Sequence, residues 1–427
     1  MLILGAGLCG LSAASRLGGG YRLVEKADRP GGLTRGRGRD GFWFDQTGHW
    51  LHFRDPTARA LIEELLPGGF LTVRRRAAVF SRGVFTPYPY QVHTHGLPAE
   101  VVAENVLGFL EARHGERGRA LREREPRNFA EHVRRELGEG FARHFMFPYN
   151  RKVWTVEPEE LSTGWMGRFV PRPSAEQVVR GALGLPTEEL GYNATFLYPR
   201  RGGIEALAAA LARRLPRAAE CGLEPVSIDA GRRRAVLSSG EVVPFRAALS
   251  TIPLPALVGL IADAPSQVRD AAARLRAAVV TYVNVALRGE GPSPWHWVYL
   301  PEPELRPYRV GSPSAAVPSL APPGCRSFQV EMAAPGPIPA AEAEPAAFEA
   351  LRALGVIGAP GEVLFAETHA IPHAYAIHDR DYGQARGLVR RWLESRGIAT
   401  AGRAGAWEYS SMEDALLAGR DAADRLV

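Results

Sequence analysis

The stretch Leu2-Ile3-Leu4-Gly5-Ala6-Gly7-Leu8-Cys9-Gly10 places a G-x-G-x-x-G motif directly after a short apolar run and before a helix-forming segment. A second apolar run, residues 21–25, follows at once. This order predicts a β-turn-α-β unit, the opening of a doubly wound parallel sheet. In such a unit Gly5 permits the turn, Gly7 lets the backbone approach a pyrophosphate, and Gly10 lets helix and strand pack closely.

Glu25 ends the second predicted strand, at the distance from the glycines where an acidic residue is expected. A carboxylate at this position accepts hydrogen bonds from the adenosine ribose of a dinucleotide. The phosphates would lie at the N-terminus of the first helix, where N–H groups and the helix dipole favour anions. The glycine motif alone does not distinguish FAD from NAD.

The composition is that of a globular protein, with 46% hydrophobic and 23% charged residues among 427. This length predicts two or three domains. The formal net charge is +6, and Lys26 and Lys152 are the only lysines, so arginine carries nearly all of the positive charge. A coding bias explains that excess, and we expect neither a nucleic acid nor a membrane as a partner. The sequence leaves the oligomeric state open.

The three cysteines, Cys9, Cys221 and Cys325, lie too far apart for a readable disulfide or metal motif. The pair His93 and His95 has no further ligand nearby, so no metal is predicted. No apolar run reaches 18 residues and the N-terminus lacks a basic leader, so we expect a cytoplasmic protein.

A longer match continues from Glu25. The residues Lys26-Ala27-Asp28-Arg29-Pro30-Gly31-Gly32-Leu33 resemble the flavin-dependent oxidoreductases that include the amine oxidases and protoporphyrinogen oxidase. The segment from Met412 through Ala415 to Gly419 resembles the closing helix of that family, which points at the flavin ribityl and pyrophosphate groups. The resemblance implies FAD, with the cofactor-binding residues Gly5, Gly7, Gly10, Glu25, Lys26, Gly31, Gly32, Leu33, Met412 and Ala415.

Between the two ends, an ordered series of motifs resembles UDP-galactopyranose mutases, especially the eukaryotic type. The closest single match is Phe145-Met146-Phe147-Pro148-Tyr149-Asn150-Arg151-Lys152-Val153-Trp154. The series also contains residues 44–49, 87–91, 193–196, 297–301, 307–309, 373–375 and 403–409. Single motifs are unspecific, and their order over nearly the whole chain carries the resemblance.

The resemblance implies a mutase that interconverts pyranose and furanose forms of a nucleotide diphosphate hexose, such as UDP- or GDP-galactose. Reduced FAD acts as a covalent catalyst through an adduct between flavin N5 and the sugar. No net redox change occurs, so the enzyme needs NAD(P)H or another reductant only to keep the flavin reduced. Neither the nucleobase nor the sugar is identified by the sequence.

The same resemblance assigns roles to single residues. His49 and Gly48 lie near flavin N5, Arg403 lies near the flavin ring, and His49, Arg309 and Arg168 are the candidate catalytic residues. The predicted substrate-binding set comprises Arg309, Tyr299, Tyr375, Tyr409 and Asn193 for the diphosphate, Asn150 and Trp154 for the sugar, and Tyr88, Gln91, Phe145 and Met146 for the base.

Two positions depart from the mutase pattern. Thr47 stands where the family usually has glycine, and Phe169 stands where it has a second diphosphate arginine, so that Arg168 or Arg172 would have to substitute. Two alternatives therefore stay open. One is an FAD-dependent oxidase or dehydrogenase of the amine oxidase or protoporphyrinogen oxidase type. The other is a flavoprotein that binds nucleotide without turnover.

The predicted fold class is α/β, a Rossmann-like FAD-binding domain with inserted helical and antiparallel-sheet domains. The FAD-binding domain comprises residues 1–85, 193–268 and 366–427, the helical domain 86–192, and the sheet domain 269–365. The predicted elements are a helix at 56–66, a hairpin at 72–87, a helix at 204–215, strands within 223–252 and 278–334, a loop at 313–323, and helices at 385–396 and 412–427.

Overall fold

A computed structural model of the chain describes residues 1–167, 170–187, 194–291, 293–358 and 361–426. None of the helices within these residues is long and apolar enough to cross a membrane. The helices are α1 (Leu8–Leu17), α2 (Pro56–Leu65), α3 (Ala99–His114), α4 (Glu116–Arg122), α5 (Phe129–Glu136), α6 (Gly138–Phe141), α7 (Phe147–Trp154), α8 (Ala175–Ala182), α9 (Glu205–Arg214), α10 (Leu254–Gly259), α11 (Ser266–Ala273), α12 (Pro313–Ala316), α13 (Ala340–Ala353), α14 (Tyr382–Ser395), α15 (Gly402–Gly405) and α16 (Met412–Leu426).

The glycine motif follows the central strand of a five-stranded parallel sheet. Its strands are β1 (Leu2–Leu4), β2 (Arg22–Glu25), β9 (Glu220–Cys221), β13 (Ala248–Ser250) and β19 (Ile398–Thr400), in the order β19-β13-β1-β2-β9. Leu2 and Leu4 pack into one core cluster and Ile3 into another, because both faces of the sheet are covered. The sheet gathers strands from distant parts of the chain, which confirms the predicted Rossmann-like domain.

A seven-stranded sheet forms the second large unit. Its strands are β6 (Ala77–Ser81), β7 (Val84–Pro87), β14 (Ala277–Arg288), β15 (Trp297–Tyr299), β16 (Arg309–Gly311), β17 (Cys325–Ala334) and β18 (Val363–Ala376), in the order β18-β14-β17-β16-β15-β6-β7. Every neighbouring pair is antiparallel except β15 with β6. Smaller sheets are formed by β3 (Gly36–Arg39) with β4 (Phe42–Asp45), by β5 (Phe70–Arg74) with β8 (Thr195–Pro199), and by β10 (Pro225–Asp229), β11 (Arg234–Leu237) and β12 (Val242–Pro244).

The antiparallel sheet extends beyond the predicted range 269–365. Strands β6 and β7 join it from the preceding part of the chain, and β18 continues to Ala376. Only the second part of the predicted hairpin at 72–87 is a hairpin, because β5 pairs with β8 instead. The predicted loop at 313–323 contains α12 and a 3-10 turn at Pro318–Leu320. These differences concern long-range pairing, which local periodicity does not encode.

The helical insert carries an irregular turn where the chain enters the space between the sheets. Residues Ala142–Met146 form a π-helical segment between α6 and α7. Pro148 lies in the first turn of α7 and has no N–H for a regular helical bond. Phe145 and Met146 of this segment line the same cavity as Tyr149 and Asn150 of α7. Such turns recur at functional sites.

Candidate active site

Two glycine-rich turns meet at the end of β1. A Cβ on Gly10 would lie 1.9 Å from the carbonyl oxygen of Gly5, so only glycine allows α1 to approach the strand. The N–H of Gly31 donates to the carbonyl of Ala6 at 2.9 Å, and Gly32 lies beside Gly7. The backbone N–H groups at the start of α1 therefore face a surface without side chains. This cradle fits the phosphates of a dinucleotide.

The predicted ribose ligand Glu25 is buried and braces this cradle. Its Oε2 accepts from the N–H of Ala6 at 2.8 Å, and its Oε1 accepts from the N–H of Ala27 at 3.0 Å. The carboxylate thus fixes the phosphate turn, and its contact with a ribose stays a prediction. Lys26 and Leu33 are exposed on the flanks of the same turn.

The first turn of α16 contains Met412 and Ala415, the predicted flavin contacts at the other end of the chain. Ser411 and Asp414 cap this helix end, with Asp414 Oδ2 accepting from the Ser411 N–H and hydroxyl at 2.8 Å each. Buried Glu413 accepts from the N–H groups of Arg54 and Asp55 at 2.6 and 2.8 Å. These contacts tie the start of α16 to the loop that follows residues 48–49.

The loop at 47–50 lines a cavity with Gly48 and Trp50. Thr47 adopts a φ of +65°, so this residue takes the left-handed conformation at the position where the mutase pattern has glycine. Burial lowers the pKa of His49 to about 4, so the imidazole is uncharged at neutral pH. Its Nδ1 is buried and has no hydrogen-bond partner of good geometry in the described part of the chain. An unpaired buried nitrogen here fits a ring with polar edges such as a flavin.

A cavity of about 290 Å³ lies beside Gly48, between the seven-stranded sheet and the helical insert. It is lined by ten of the predicted substrate-binding residues, namely Tyr88, Gln91, Phe145, Met146, Asn150, Trp154, Tyr299, Arg309, Tyr375 and Tyr409. Residues from five chain regions thus converge on one space. Arg168 and Asn193 lie outside the described residues, whereas Val170 and Pro171 line the cavity and Arg172 is exposed.

Arg309 contributes a positive charge to the wall of this cavity. Its Nε and Nη2 donate to the two oxygens of Glu331 at 2.9 and 2.7 Å, and the hydroxyl of Tyr308 donates to the same carboxylate at 2.6 Å. Burial disfavours the charge, but the Glu331 carboxylate outweighs it and holds the pKa of Arg309 well above its usual range. Among the residues that the structure describes, Nη1 has no acceptor and can serve a ligand. Arg309 is therefore a fixed donor whose orientation Glu331 sets.

Tyrosine hydroxyl groups surround Arg309. Tyr299 lies directly opposite Arg309 across β15 and β16, and its ring lies 5.0 Å from that of Tyr88 and 5.4 Å from that of Tyr149. Burial raises the pKa of both Tyr149 and Tyr299, so these phenols stay protonated at neutral pH. Protonated phenols beside a cation can donate hydrogen bonds to an anion.

Trp154 forms one wall of the cavity and is held in place by its own helix. Its Nε1 donates to Oδ1 of Asn150 at 3.1 Å, and Asn150 Nδ2 donates to the carbonyl of Met146 at 2.7 Å. The indole packs against the rings of Tyr375 and Tyr409, each at 5.7 Å. Asn150 thus orients Trp154, in addition to lining the cavity as predicted.

Arg403 braces the last two tyrosines. It donates to the carbonyl of Ala374 from Nε and Nη2 at 3.2 and 2.6 Å, and to the carbonyl of Ser410 from Nη1 at 2.8 Å. The guanidinium lies 5.4 Å from the Tyr375 ring and 5.0 Å from the Tyr409 ring. The described contacts of Arg403 are therefore with the backbone beside Tyr375 and Tyr409, and its predicted place near the flavin ring stays a prediction.

Several cavity residues were not predicted as ligands. They include Tyr149 and Trp165, and Tyr149 lies within the motif at 145–154, one helical turn after Phe145, which is a local signal for a shared face. Glu331 sits in an alternating strand and gives no local signal, because only the pairing of β16 with β17 brings it to Arg309. The described ranges contain no group of three or more His, Cys, Asp or Glu that could hold a metal.

His296 lines the far side of the cavity as an uncharged ring. Its Nδ1 and Nε2 face the N–H of Arg76 at 3.3 Å and the Nε of Arg76 at 3.2 Å. Burial and the Arg76 charge lower the pKa of His296 to about 4. Below pH 6.5 the unfolded chain binds this proton before the folded protein does, so the stability contributed by His296 is lost as pH falls from 6.5 through 4.

We expect the melting temperature to fall on acidification, with a contribution from His296 of up to about 3 kcal/mol. His296→Asn removes the titrating group, so its melting temperature should depend less steeply on pH below 6.5. Thermal unfolding between neutral and mildly acidic pH measures this slope. Exposed His114 provides the control, because His114→Asn should keep the wild-type slope. Equal slopes for His296→Asn and the wild type would refute the assignment.

Comparison with known proteins identifies the class. Residues 8–427 match the family described as flavin containing amine oxidoreductase, so the chain belongs to this family of flavin enzymes. The match confirms the predicted fold class and the flavin.

Within that class, several solved structures align with nearly the whole chain. A crystal structure of reduced UDP-galactopyranose mutase aligns with a TM-score of 0.92 at 26% identity, covering 99% of this chain and 93% of that one. This confirms the resemblance predicted from the ordered motifs. A putative protoporphyrinogen oxidase from Exiguobacterium sp. 255-15 aligns with a TM-score of 0.75 at 19% identity, covering 99% and 97%. A putrescine oxidase double mutant aligns with a TM-score of 0.66 at 15% identity, covering 100% and 98%. The two oxidases share the fold.

Proposed function

We propose that the protein is a mutase that uses reduced FAD to interconvert pyranose and furanose forms of a nucleotide diphosphate hexose. The observation that carries this proposal is Arg309, a partly buried cation that lines one cavity with several tyrosines and Gly48. Breaking the bond between the anomeric carbon and the diphosphate builds negative charge on the departing oxygen. Preorganised donors in a site shielded from water stabilise that charge.

The diphosphate would bind at Nη1 of Arg309 and at the hydroxyl groups of Tyr299, Tyr375 and Tyr409. Arg309 and Tyr299 lie directly opposite each other on β16 and β15. Arg403 holds the backbone beside Tyr375 and Tyr409. These groups are held before substrate arrives, so little ordering is needed on binding. Retaining the diphosphate after the glycosidic bond breaks allows it to return to the same sugar.

The nucleobase would occupy the end of the cavity near Gln91. The Oε1 atom of Gln91 is buried and has no hydrogen-bond partner in the part of the chain that the structure describes. Phe145 and Tyr149 lie nearby with ring centroids 5.3 Å apart and an interplanar angle of 8°. A side-chain amide for the base edge and aromatic rings for its faces fit a nucleobase, and they do not choose between uracil and guanine.

The sugar would lie between Trp154 and the loop at 47–50, because Gln46 just before this loop donates to the carbonyl of Gly32 in the glycine cradle at 3.3 Å. Bound reduced flavin supplies a nucleophilic nitrogen for the anomeric carbon. The uncharged imidazole of His49 can donate a hydrogen bond from one ring nitrogen and accept a hydrogen bond at the other. It can therefore fix the hydrogen bonding beside the nucleophilic flavin nitrogen. We also propose that NAD(P)H or another cytoplasmic reductant keeps the flavin reduced.

The oxidase alternative shares the cradle and the fold. An oxidase of an apolar substrate has no use for a partly buried arginine in the wall of its cavity, because that charge loses hydration when an apolar group lies beside it. The Arg309 site therefore favours the mutase.

We expect the reduced protein to convert a nucleotide hexose into its furanose isomer without oxygen, and the oxidised protein to give no product. Dithionite-reduced enzyme is incubated anaerobically with UDP- and GDP-hexoses, and the products are separated by chromatography. The same substrates with the oxidised protein form the control. If the reduced protein forms no furanose from any nucleotide hexose, and the protein consumes oxygen when an amine or a porphyrinogen is added, the oxidase alternative is correct.

A further inference from the structure

The loop between β15 and β16 closes around one partly buried ammonium group. Lys152, on α7, inserts its Nζ into this loop and donates to the backbone carbonyls of Leu300, Glu302, Leu305 and Pro307. The distances are 2.8 Å to Leu300, 2.6 Å to Glu302 and 3.0 Å to Pro307. Residues of one loop thus turn four carbonyl oxygens inward onto one cation, an arrangement that resembles a carbonyl site for a monovalent ion.

A lysine suits this cage better than an arginine does. The ammonium is compact and offers three rotatable N–H donors, whereas a guanidinium is a planar fork. In a chain with only two lysines, the cage takes one of them. Burial lowers the pKa of Lys152 to about 8, while the nearby Glu302 and Glu304 raise it. The carbonyl dipoles act in the same direction as the two carboxylates, since they stabilise the ammonium, and Lys152 is charged at neutral pH.

The cage lies outside the cavity, since neither Lys152 nor the four carbonyl residues line it, but it joins two elements that do. The loop begins after Tyr299 and ends before Arg309, and these two residues face each other across β15 and β16. Lys152 itself stands on α7 between Asn150 and Trp154, which line the opposite wall. The ammonium is therefore a direct polar link between the wall that carries Arg309 and the wall that carries Trp154.

A second contact braces the loop from its other side. The carboxylate of Glu302 accepts from the hydroxyl of Ser81 at 2.6 Å and from the N–H of Arg82 at 3.0 Å, both at the β6–β7 hairpin. The N–H of Leu300 donates to the carbonyl of Tyr308 at 2.9 Å and closes the base of the loop. Lys152 thus adds a polar link between α7 and this loop to the ring contacts that Tyr149 of α7 makes with Tyr299 and Tyr308.

We propose that Lys152 is a positioning residue that acts as a built-in monovalent cation, setting the distance between Trp154 and Arg309 so that both reach one substrate. Emptying the cage should create a site for K⁺ or ammonium, because the four carbonyl oxygens remain directed at its centre. The role of Lys152 in substrate binding rests on the proposed function, whereas the ion site does not.

The first test uses stability and needs no substrate. Lys152→Ala empties the cage, and its melting temperature should rise by about 3 °C in saturating K⁺ or ammonium chloride over tetramethylammonium chloride of equal ionic strength. The wild type and the matched control Arg306→Ala should show no such difference. Arg306 lies on the same loop but is half-exposed and pairs with Glu342. The absence of ion-specific stabilisation in Lys152→Ala would overturn the proposed ion site.

The second test uses binding. Lys152→Met keeps the length of the side chain without its charge, and we expect about tenfold weaker binding of the nucleotide hexose at unchanged flavin content. In Lys152→Ala, K⁺ should restore part of the lost affinity, a response that a general packing defect would not give. Wild-type affinity in Lys152→Met would overturn the positioning role. If the wild type itself binds no nucleotide hexose, the proposed function fails, while the ion-specific melting shift still decides the cage.

If Lys152→Ala does not fold in sodium buffer, refolding is repeated in K⁺ and in ammonium. Recovery in these ions, but not in tetramethylammonium, supports the cage. Failure in every ion, while Lys152→Met folds and binds normally, refutes it.

Discussion

Arg309→Ala is expected to weaken binding of the nucleotide hexose roughly 100-fold and to abolish turnover, because it removes the charged donor of the cavity. It also leaves Glu331, whose side chain is only 2% exposed, without its counterion and with the hydroxyl of Tyr308 as a remaining hydrogen-bond donor. Breaking a buried ion pair from one side lowers the free energy of unfolding by about 3–5 kcal/mol. Equilibrium titration with UDP- and GDP-hexoses measures the first effect, and thermal unfolding measures the second.

A double variant separates these two effects. In Arg309→Met combined with Glu331→Gln, both charges are removed while the amide oxygen at position 331 can still accept from Tyr308, so stability should return to near the wild-type value. Binding should stay as weak as in Arg309→Ala. Arg306→Ala removes an arginine that does not line the cavity and should bind normally. A double variant that binds nucleotide hexose with wild-type affinity would refute the diphosphate assignment.

Two neighbouring glycines should respond to alanine in opposite ways. Gly10→Ala places a methyl group 1.9 Å from the carbonyl oxygen of Gly5, which is backbone and cannot turn aside. We expect a loss of at least about 4 kcal/mol in unfolding free energy, and little soluble protein. Gly7→Ala meets nothing closer than the Cα of Gly32 at 3.9 Å. Its φ of −72° and ψ of −178° are ordinary for alanine, so the apoprotein should fold.

The methyl group of Gly7→Ala would nevertheless occupy the space where the proposed FAD pyrophosphate must approach the backbone. We expect this variant to melt as the wild-type apoprotein does and to bind FAD at least about tenfold more weakly. Flavin absorbance per protein and the melting temperature with and without added FAD measure both quantities. Full flavin content in Gly7→Ala would show that the phosphates bind elsewhere.

The sequence predicted the parts of the structure that depend on neighbouring residues. The G-x-G-x-x-G turn, Glu25 at the end of β2, and the closing helix α16 are local signals, and all were found where expected. The ten predicted cavity residues that the structure describes also lie together, because the motifs that carry them keep their order along the chain.

The rest depends on pairing between distant segments. Glu331 reaches Arg309 only through the register of β16 with β17, and the cage around Lys152 forms only because α7 packs beside the β15–β16 loop. Strand β18 is an edge strand with many partly exposed residues, so it lacks the apolar alternation that marks a strand in sequence. No short window of sequence contains such information.

The packing of α1 against α16 has a consequence for synthesis of the protein. The hydroxyl of Ser12 donates to the carbonyl of Leu416, 404 residues later, and a Cβ on Gly419 would lie 2.2 Å from the carbonyl of Cys9. The phosphate turn therefore leaves the ribosome long before the helix that supports it, because Ser12 and Leu416 are 404 residues apart. We expect a nascent chain to stay without flavin until α16 has emerged, and to depend on chaperones during that interval.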